Sequence, residues 1–348
     1  MTKPSQRAAP PTTPDSGEVP TVNAIAHAWA RVGAVLSPHP DCPLPNWSGG
    51  GDTLHQHLLV IGTAHDTEMV SQLRHLETAA ARFGKVGFVG PASARRLVEW
   101  SMGERVVVLS RMPRDVSDWD LRSPIGSLAR ALGPQAAHAH AGRPFLRVAA
   151  TAARHWRDRL AAAAQHGFCV GFAGLQALDG KVPTSPTPGG ARFSSLAPLL
   201  RVPGVSWVPL GQPGDGASDA VLPESVDWID WRADCDDLAD EASLIDNLDL
   251  VISLDAAHTH LAEGLGVPVW RLGDTRAGPV RHDARYDTYF SPESLASVAG
   301  VGDPVDATGP TDPGSFRLAS ATNDWPRAVD SAAKALLAMA TAFQGWTR

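Results

Sequence analysis

This 348-residue sequence has few cysteines, no surplus of positive charge and no long apolar run, and each of these features argues against a class of protein. Three cysteines, an odd number, provide no framework of disulfides. The net charge of −7 gives no general basic surface for nucleic acid. No apolar run approaches the roughly 20 residues that span a membrane, and no signal-peptide core is found. We therefore expect no nucleic-acid partner, no integral membrane segment and a cytoplasmic location.

The chain is long enough for two domains, and 43% hydrophobic with 19% charged residues is ordinary for a globular protein. Residues 1–20 are polar and proline-rich, which predicts a disordered tail. We predict a first α/β domain over 21–166, a second over 167–324, and a final helix within 325–348 that packs back on the first domain.

Short apolar runs alternate with amphipathic stretches in both halves, which is typical of parallel sheets covered by helices. The runs that we interpret as strands in the first half are His57–Ile61, Lys85–Val89 and Arg105–Leu109. Those of the second half, before residue 240, are Phe168–Ala173, Val205–Leu210 and Val226–Trp231.

The segment 237–272 has the clearest pattern in the chain. It predicts a helix, a buried strand over Leu248–Leu254, a second helix over Ala256–Leu265 closed by Gly266, and a strand over Val267–Leu272. Asp255 therefore stands at the carboxyl end of a strand and at a helix N-terminus. In α/β folds, this is where nucleotides and phosphates bind.

The sequence LIDNLDLVISLDAAHTHLAEGLGVPVW in this segment resembles the donor-site segment of GT-B glycosyltransferases. It is most similar to ADP-heptose/lipopolysaccharide heptosyltransferase-like proteins and to bacterial O-GlcNAc-transferase-like domains linked to tetratricopeptide repeats. Ala256 departs from their pattern, which has threonine there. The resemblance implies a GT-B fold, α/β with two Rossmann-like domains and a cleft between them, and an inverting, metal-independent transferase. Its partners would be a nucleotide-sugar donor and a glycan or protein acceptor.

The donor site implied by the resemblance consists of Asp255, the amides of Ala256 and Ala257, and His260. Asp255 would accept hydrogen bonds from sugar or ribose hydroxyls, and the amides would hold a diphosphate. Two structural interpretations stay open: Asp255 as a helix cap only, and His260 as a buried histidine with its own partner. His258 lies two positions before His260 on another side of the helix, so the pair is not expected to share a ligand.

The acceptor side of the resemblance falls on the loop GTAHDTE, residues 62–68. Glu68 occupies the position of the family's candidate catalytic base, and Asp66 is the nearby alternative. Either carboxylate could deprotonate an acceptor hydroxyl. His65 and Thr67 replace glycines of the family's tight turn. The competing interpretation is that Asp66 or Thr67 caps the following helix.

The family's basic diphosphate-binding segment is altered in this chain. Gly189 and Gly190 stand where an Arg-Ser pair is expected, and Lys181 and Arg192 are the nearby cations. One charge-assisted hydrogen bond to phosphate contributes about 1.5–3 kcal/mol. Weak donor binding is therefore expected unless the glycine amides compensate.

Three His-x-His pairs occur, but no cysteine or glutamate cluster accompanies them at metal-ligand spacing. We therefore expect no metal and no cofactor. Two function classes remain: an active glycosyltransferase, or a catalytically degenerate GT-B protein that serves as a binding or assembly subunit. The sequence leaves open the donor, the acceptor and whether the protein forms homo- or hetero-oligomers.

Overall fold

The computed structural model describes residues 42–62, 69–133, 143–175, 193–213, 225–272 and 325–346, and it contains two parallel sheets. The strands are β1 (His57–Ile61), β2 (Lys85–Val89), β3 (Val107–Leu109), β4 (Leu121–Pro124), β5 (Phe168–Ala173), β6 (Val205–Pro209), β7 (Asp227–Trp228), β8 (Leu250–Ser253) and β9 (Val269–Arg271). The helices are α1 (Met69–Gln72), α2 (Arg74–Arg82), α3 (Ala92–Met102), α4 (Ile125–Leu132), α5 (Ala150–Ala163), α6 (Ala197–Leu200), α7 (Leu238–Ile245), α8 (Ala256–Leu265) and α9 (Trp325–Trp346).

Both sheets have a Rossmann-like strand order. The first runs β3-β2-β1-β4 and the second β7-β6-β5-β8-β9, and every pairing between neighbours is parallel. Strands β5, β6 and β8 are buried along their whole length, as expected for a sheet with both faces covered. In each sheet the first three strands are added toward one side, and the next strand is placed on the other side of the first. The topological switch points, where the strand order reverses, therefore lie between β1 and β4 and between β5 and β8.

The prediction of an α/β fold with two Rossmann-like units is confirmed. Helix α8 has the predicted bounds, and Gly266 ends it with a φ of 84° in the left-handed region that glycine favours. Several strands are shorter than predicted: Arg105 belongs to a short 3₁₀ turn, and β7 covers only two residues of the run expected to extend to Trp231. The predicted tail, residues 1–20, and an amphipathic helix that the sequence also predicts over 22–36 lie outside the described residues.

The two halves touch through helix pairs. Helix α1 packs against α8, α3 packs against α7, and one apolar cluster contains buried residues of both halves. Helix α5 precedes the predicted boundary at residue 166, yet it also packs against α7, and Asn247 donates from Nδ2 to the carbonyl of Ala153 at 3.0 Å. The domain boundaries and the cleft stay predictions.

Helix α9 packs on the second half, and its predicted contact with the first domain stays a prediction. Its described apolar face joins the core of the second sheet, and it lies along α6. The rings of Phe343 and Phe168 are 5.3 Å apart. The physical reason is burial, because Val329, Leu336 and Met339 cover apolar side chains of the second half. Among the described helices, none is both long and apolar enough to span a membrane.

Candidate functional site

The candidate site lies at the carboxyl edge of the second sheet, at its switch point between β5 and β8. Gly174 directly follows β5, and Asp255 follows β8 with only Leu254 between them. Connections at such an edge diverge to opposite faces of the sheet and leave a crevice in which α/β proteins bind ligands. The position of the Asp255 turn therefore agrees with the position of a donor site.

Gly174 holds the two connections close together. Its φ is +83°, and a Cβ added there would lie 2.7 Å from the Cβ of Leu254 and 3.0 Å from the amide nitrogen of Asp255. Both neighbours belong to the turn itself, so neither can rotate away as the end of a long side chain would. The backbone thus requires glycine here for its conformation and for its close approach.

Gly174→Ala is expected to destabilise the protein by about 1–3 kcal/mol more than Gly50→Ala, because overpacking adds to the backbone strain. Gly50 is the matched control: its φ is +81°, and a Cβ there would have no neighbour within 4 Å. Urea unfolding of both variants measures the difference. Equal losses of stability would show that steric contact between a Cβ at residue 174 and the Asp255 turn adds nothing to the backbone strain.

Asp255 is the N-cap of α8. Its Oδ1 accepts a hydrogen bond from the His258 amide at 2.8 Å. The Ala257 amide also helps to lower the pKa of the Asp255 carboxyl. The hydroxyl of Ser253 accepts from the Asp255 amide at 3.1 Å, and Thr259 Oγ1 donates to the Asp255 carbonyl at 2.7 Å. Such bonds satisfy helix-end groups and fix the turn. The capping interpretation is therefore observed, while the ligand role stays a prediction.

His258 is held between two carboxylates. Its Nδ1 donates to Asp255 Oδ2 at 2.7 Å, and its Nε2 donates to Glu241 Oε1 at 3.0 Å. Glu241 Oε1 also accepts from the Gly211 amide at 2.8 Å. Since Gly211 follows β6 and Glu241 lies on α7, this cluster ties together three parts of the carboxyl edge.

The charges of this cluster stabilise one another. Burial lowers the pKa of His258, but Glu241 and Asp255 outweigh burial and raise that pKa well above 6.5. Burial raises the pKa of Glu241 and of Asp255, yet His258 holds both carboxyl pKa values below their usual range. Imidazolium is the form that donates from both ring nitrogens, so His258 is charged between two carboxylates.

His260 lies on a different side of α8. Its Nδ1 is 3.3 Å from Glu263 Oε2, and its side chain is 12% exposed. Near the end of the same helix, the carbonyl of Gly264 accepts hydrogen bonds from the amides of Phe145 and Leu146, both at 2.9 Å. The segment just before α5 thus contacts α8 directly.

Several predicted site residues lie outside the described residues: Asp66, Glu68, Lys181, Gly189, Gly190 and Arg192. Ala256 and Ala257 form the first turn of α8, as predicted. Within the ranges that the structure describes, no group of three or more side chains could hold a metal ion. Asp255, Ala256, Ala257 and His260 thus lie at or near the N-terminus of one helix, and the donor and acceptor roles both stay predictions.

Sequence reasoning missed the partners of Asp255. Glu241 is 14 positions before Asp255, and only folding brings it to His258. One signal was available: Glu241 lies at helical spacing between Leu238 and Ile245, on the side of α7 that also carries buried Ala242. A carboxylate on an apolar helix face is expected to have a buried partner.

The two linked Rossmann-like units, with a capped helix at the switch point of the second, agree with the GT-B architecture expected from the sequence. Neither a family model nor a curated protein matches the sequence.

Solved structures with a similar fold include "ADP-heptose lps heptosyltransferase II" of E. coli, at 15% identity over 63% of this chain and 85% of that one, with a TM-score of 0.46. A glycosyl transferase family 9 protein from Veillonella parvula has 11% identity over 64% of this chain and 82% of its own, also at 0.46. The "iron-containing dodecameric glycosyltransferase TibC" of E. coli has 10% identity over 84% of this chain and 77% of its own, at 0.48.

Proposed function

We propose that the chain is a glycosyltransferase that transfers a sugar from a nucleotide-sugar donor to a hydroxyl of a glycan or protein acceptor. The observation that supports it is the Asp255 turn, which places a carboxylate and a helix N-terminus at the switch point of the second sheet. The proposal needs no cofactor and leaves the number of subunits open.

Asp255 keeps the capacity to bind a ligand while it caps the helix. Its Oδ1 accepts from the His258 amide and its Oδ2 from the His258 ring, and each carboxylate oxygen has about two lone-pair sites. A ribose or sugar hydroxyl can therefore donate to the same carboxylate. The N-terminus of α8 and His260 would favour the negative charge of the diphosphate.

The chemistry proposed is a single displacement with inversion and without a metal. Glu68 or Asp66 takes the proton of the acceptor hydroxyl, and the oxygen bonds to the anomeric carbon from the side opposite the leaving group. The bond from that carbon to the diphosphate oxygen breaks, and the nucleoside diphosphate leaves with the electron pair. Lys181, with the amides of Gly189 and Gly190, would bind the departing charge.

A binding or assembly subunit is the second candidate, and one observation favours it. The Asp255 carboxylate is already engaged by the helix amides and by charged His258, so it has a structural role without any ligand. Glu241, the second carboxylate that binds His258, adds further negative charge beside the turn, which would oppose a diphosphate.

A thermal-shift screen with UDP, GDP, ADP, dTDP and CMP sugars tests the proposal. A nucleotide sugar at 100 times its dissociation constant is expected to stabilise the fold by about 2.7 kcal/mol. No stabilisation by any of these donors at millimolar concentration would contradict the transferase and favour the subunit.

Asp255→Asn is expected to weaken the binding of the nucleotide found in that screen by at least about tenfold, or roughly 1.4 kcal/mol, because the ligand loses a charged hydrogen-bond acceptor. The variant also loses an ion pair, so a control of matched chemistry is needed. Asp227→Asn provides it: Asp227 is a buried carboxylate at the opposite edge of the same sheet, where it accepts from the Gln165 amide at 2.8 Å.

Calorimetric titration of both variants decides the outcome. Equal affinities in folded Asp255→Asn and Asp227→Asn proteins would remove Asp255 from the donor site.

A further inference from the structure

Helix α7 stands between the two halves and carries acidic groups at its N-terminus. Asp237 caps it and accepts hydrogen bonds from the amides of Ala239 at 2.8 Å and Asp240 at 3.1 Å. Glu241 follows one turn later and reaches His258. One short helix thus presents carboxylates both to the first half and to the candidate donor turn.

Arg96 of α3 binds this N-terminus from the first half. Its Nε and Nη2 donate to the two oxygens of Asp237 at 2.9 and 2.7 Å, and Nη2 also lies 2.7 Å from Asp240 Oδ2. Its guanidinium lies over the ring of Trp100, 5.4 Å from the centroid. Burial raises the pKa of Asp237, but Arg96 and the amides of Asp240 and Ala239 together outweigh burial and lower that pKa.

The two-pronged geometry makes this contact more specific than a single surface ion pair. A guanidinium that donates two parallel hydrogen bonds fixes distance and angle together, whereas a lone exposed pair contributes little. Arg96 joins positions that are 141 residues apart in the chain, so it constrains the two halves and not merely one helix.

The contacts that connect α7 to the Asp255 turn are largely shielded from solvent. Glu241, His258 and Asp255 have side chains that are 11%, 12% and 22% exposed, and their contacts are 2.7–3.0 Å long. A displacement of α7 would therefore lengthen the bond between Glu241 and His258 or carry His258 with it. Because the ring also donates to Asp255, the turn is expected to respond.

We propose that Arg96, α7, Glu241 and His258 form a relay through which the first half positions the Asp255 turn. Arg96 and His258 are positioning residues in it, since they act through Asp255. The consequence for donor binding rests on the proposed function, whereas the mechanical coupling does not.

Hydrogen–deuterium exchange of Arg96→Gln tests the coupling. Peptides that cover 253–259 are expected to exchange at least about threefold faster than in the wild type, because the His258 amide donates to Asp255 in the intact turn. Arg95→Gln is the matched control: it is the next residue on α3, and its Nη2 donates to the carbonyl of Ser110 within the first half.

Arg96→Lys separates positioning from charge. Lysine keeps one charge but lacks the planar fork, so its effect on the turn is expected to lie between wild type and Arg96→Gln. Faster exchange confined to 238–245, or equal effects of the Arg95 and Arg96 variants, would overturn the relay and leave Arg96 a local partner of α7.

A nucleotide titration gives the second readout. With the nucleotide sugar that stabilises the wild type, Arg96→Gln is expected to raise the dissociation constant at least about threefold, and Arg95→Gln to leave it unchanged. If no nucleotide sugar binds the wild type, the proposed function fails, and the exchange experiment alone still decides the relay. An unchanged affinity in Arg96→Gln would contradict any influence of the relay on the donor.

Discussion

His258→Asn is expected to lower the free energy of unfolding by about 3–5 kcal/mol, because it leaves the buried carboxylate of Glu241 and the largely shielded one of Asp255 without their cation. The asparagine side chain cannot carry charge, and a single amide cannot reproduce donors on both sides of a ring. Asp255 and Glu241 would then repel each other near the end of β8, without a cation between them. Urea unfolding near pH 6 measures the loss.

His155→Asn is the matched control, since His155 is exposed on α5 and its substitution makes the same chemical change at the surface. Its effect is expected to stay within about 0.5 kcal/mol. Similar small losses in both variants would show that the buried cluster does not contribute to stability as its geometry indicates.

The pH dependence of the free energy of unfolding provides an independent test of these charges. The pKa of His258 is raised on folding, so its contribution is complete below its unfolded value near 6.5 and is lost as the pH rises through the folded value. Asp255 and Glu241 have lowered pKa values, so their contribution is present above about pH 4 and is lost as the pH falls through those values. The stability gap between wild type and His258→Asn is therefore expected to be widest between about pH 4 and 6.5.

Glu68→Gln or Asp66→Asn is expected to reduce the transfer rate by about 10²–10⁴, because one of these carboxylates would be the general base. The loop that contains them joins Gly62, at the end of β1, to α1, and α1 packs against the helix that Asp255 caps. The second of the two changes should leave the rate near that of the wild type, so each variant serves as the control of the other.

The measurement is the initial rate of nucleoside diphosphate release from the donor found in the screen, with and without a glycan acceptor mixture. Nucleotide affinity should stay the same in both variants, since neither residue is assigned to donor binding. If neither change lowers the rate below half that of the wild type, the base assignment is wrong.

The segment from α7 to β9 could be predicted because its signals are local. Apolar spacing gave the helices, a β-branched run gave β8, and the Asp255 cap and Gly266 marked the ends of α8 correctly. The alternation of such elements was enough for two parallel sheets, since short parallel strands need helical connections.

The interactions that fix the site could not be predicted because they join distant parts of the chain. Arg96 meets Asp237 across the two halves, and Glu241 meets His258 through the packing of α7 on α8. No spacing rule connects such residues. The contact of α9 with the second half could not be predicted for a similar reason, because an amphipathic pattern shows which face is apolar and not which core will cover it.

Hydrogen–deuterium exchange of the wild-type protein, with and without its stabilising nucleotide sugar, tests the central claim most directly. The claim is that the donor binds at the turn between β8 and α8. Slower exchange is predicted in peptides that cover residues 253–259, with no change in β2 and β3 at the far side of the first sheet. Protection that appears elsewhere and spares the Asp255 turn would contradict it.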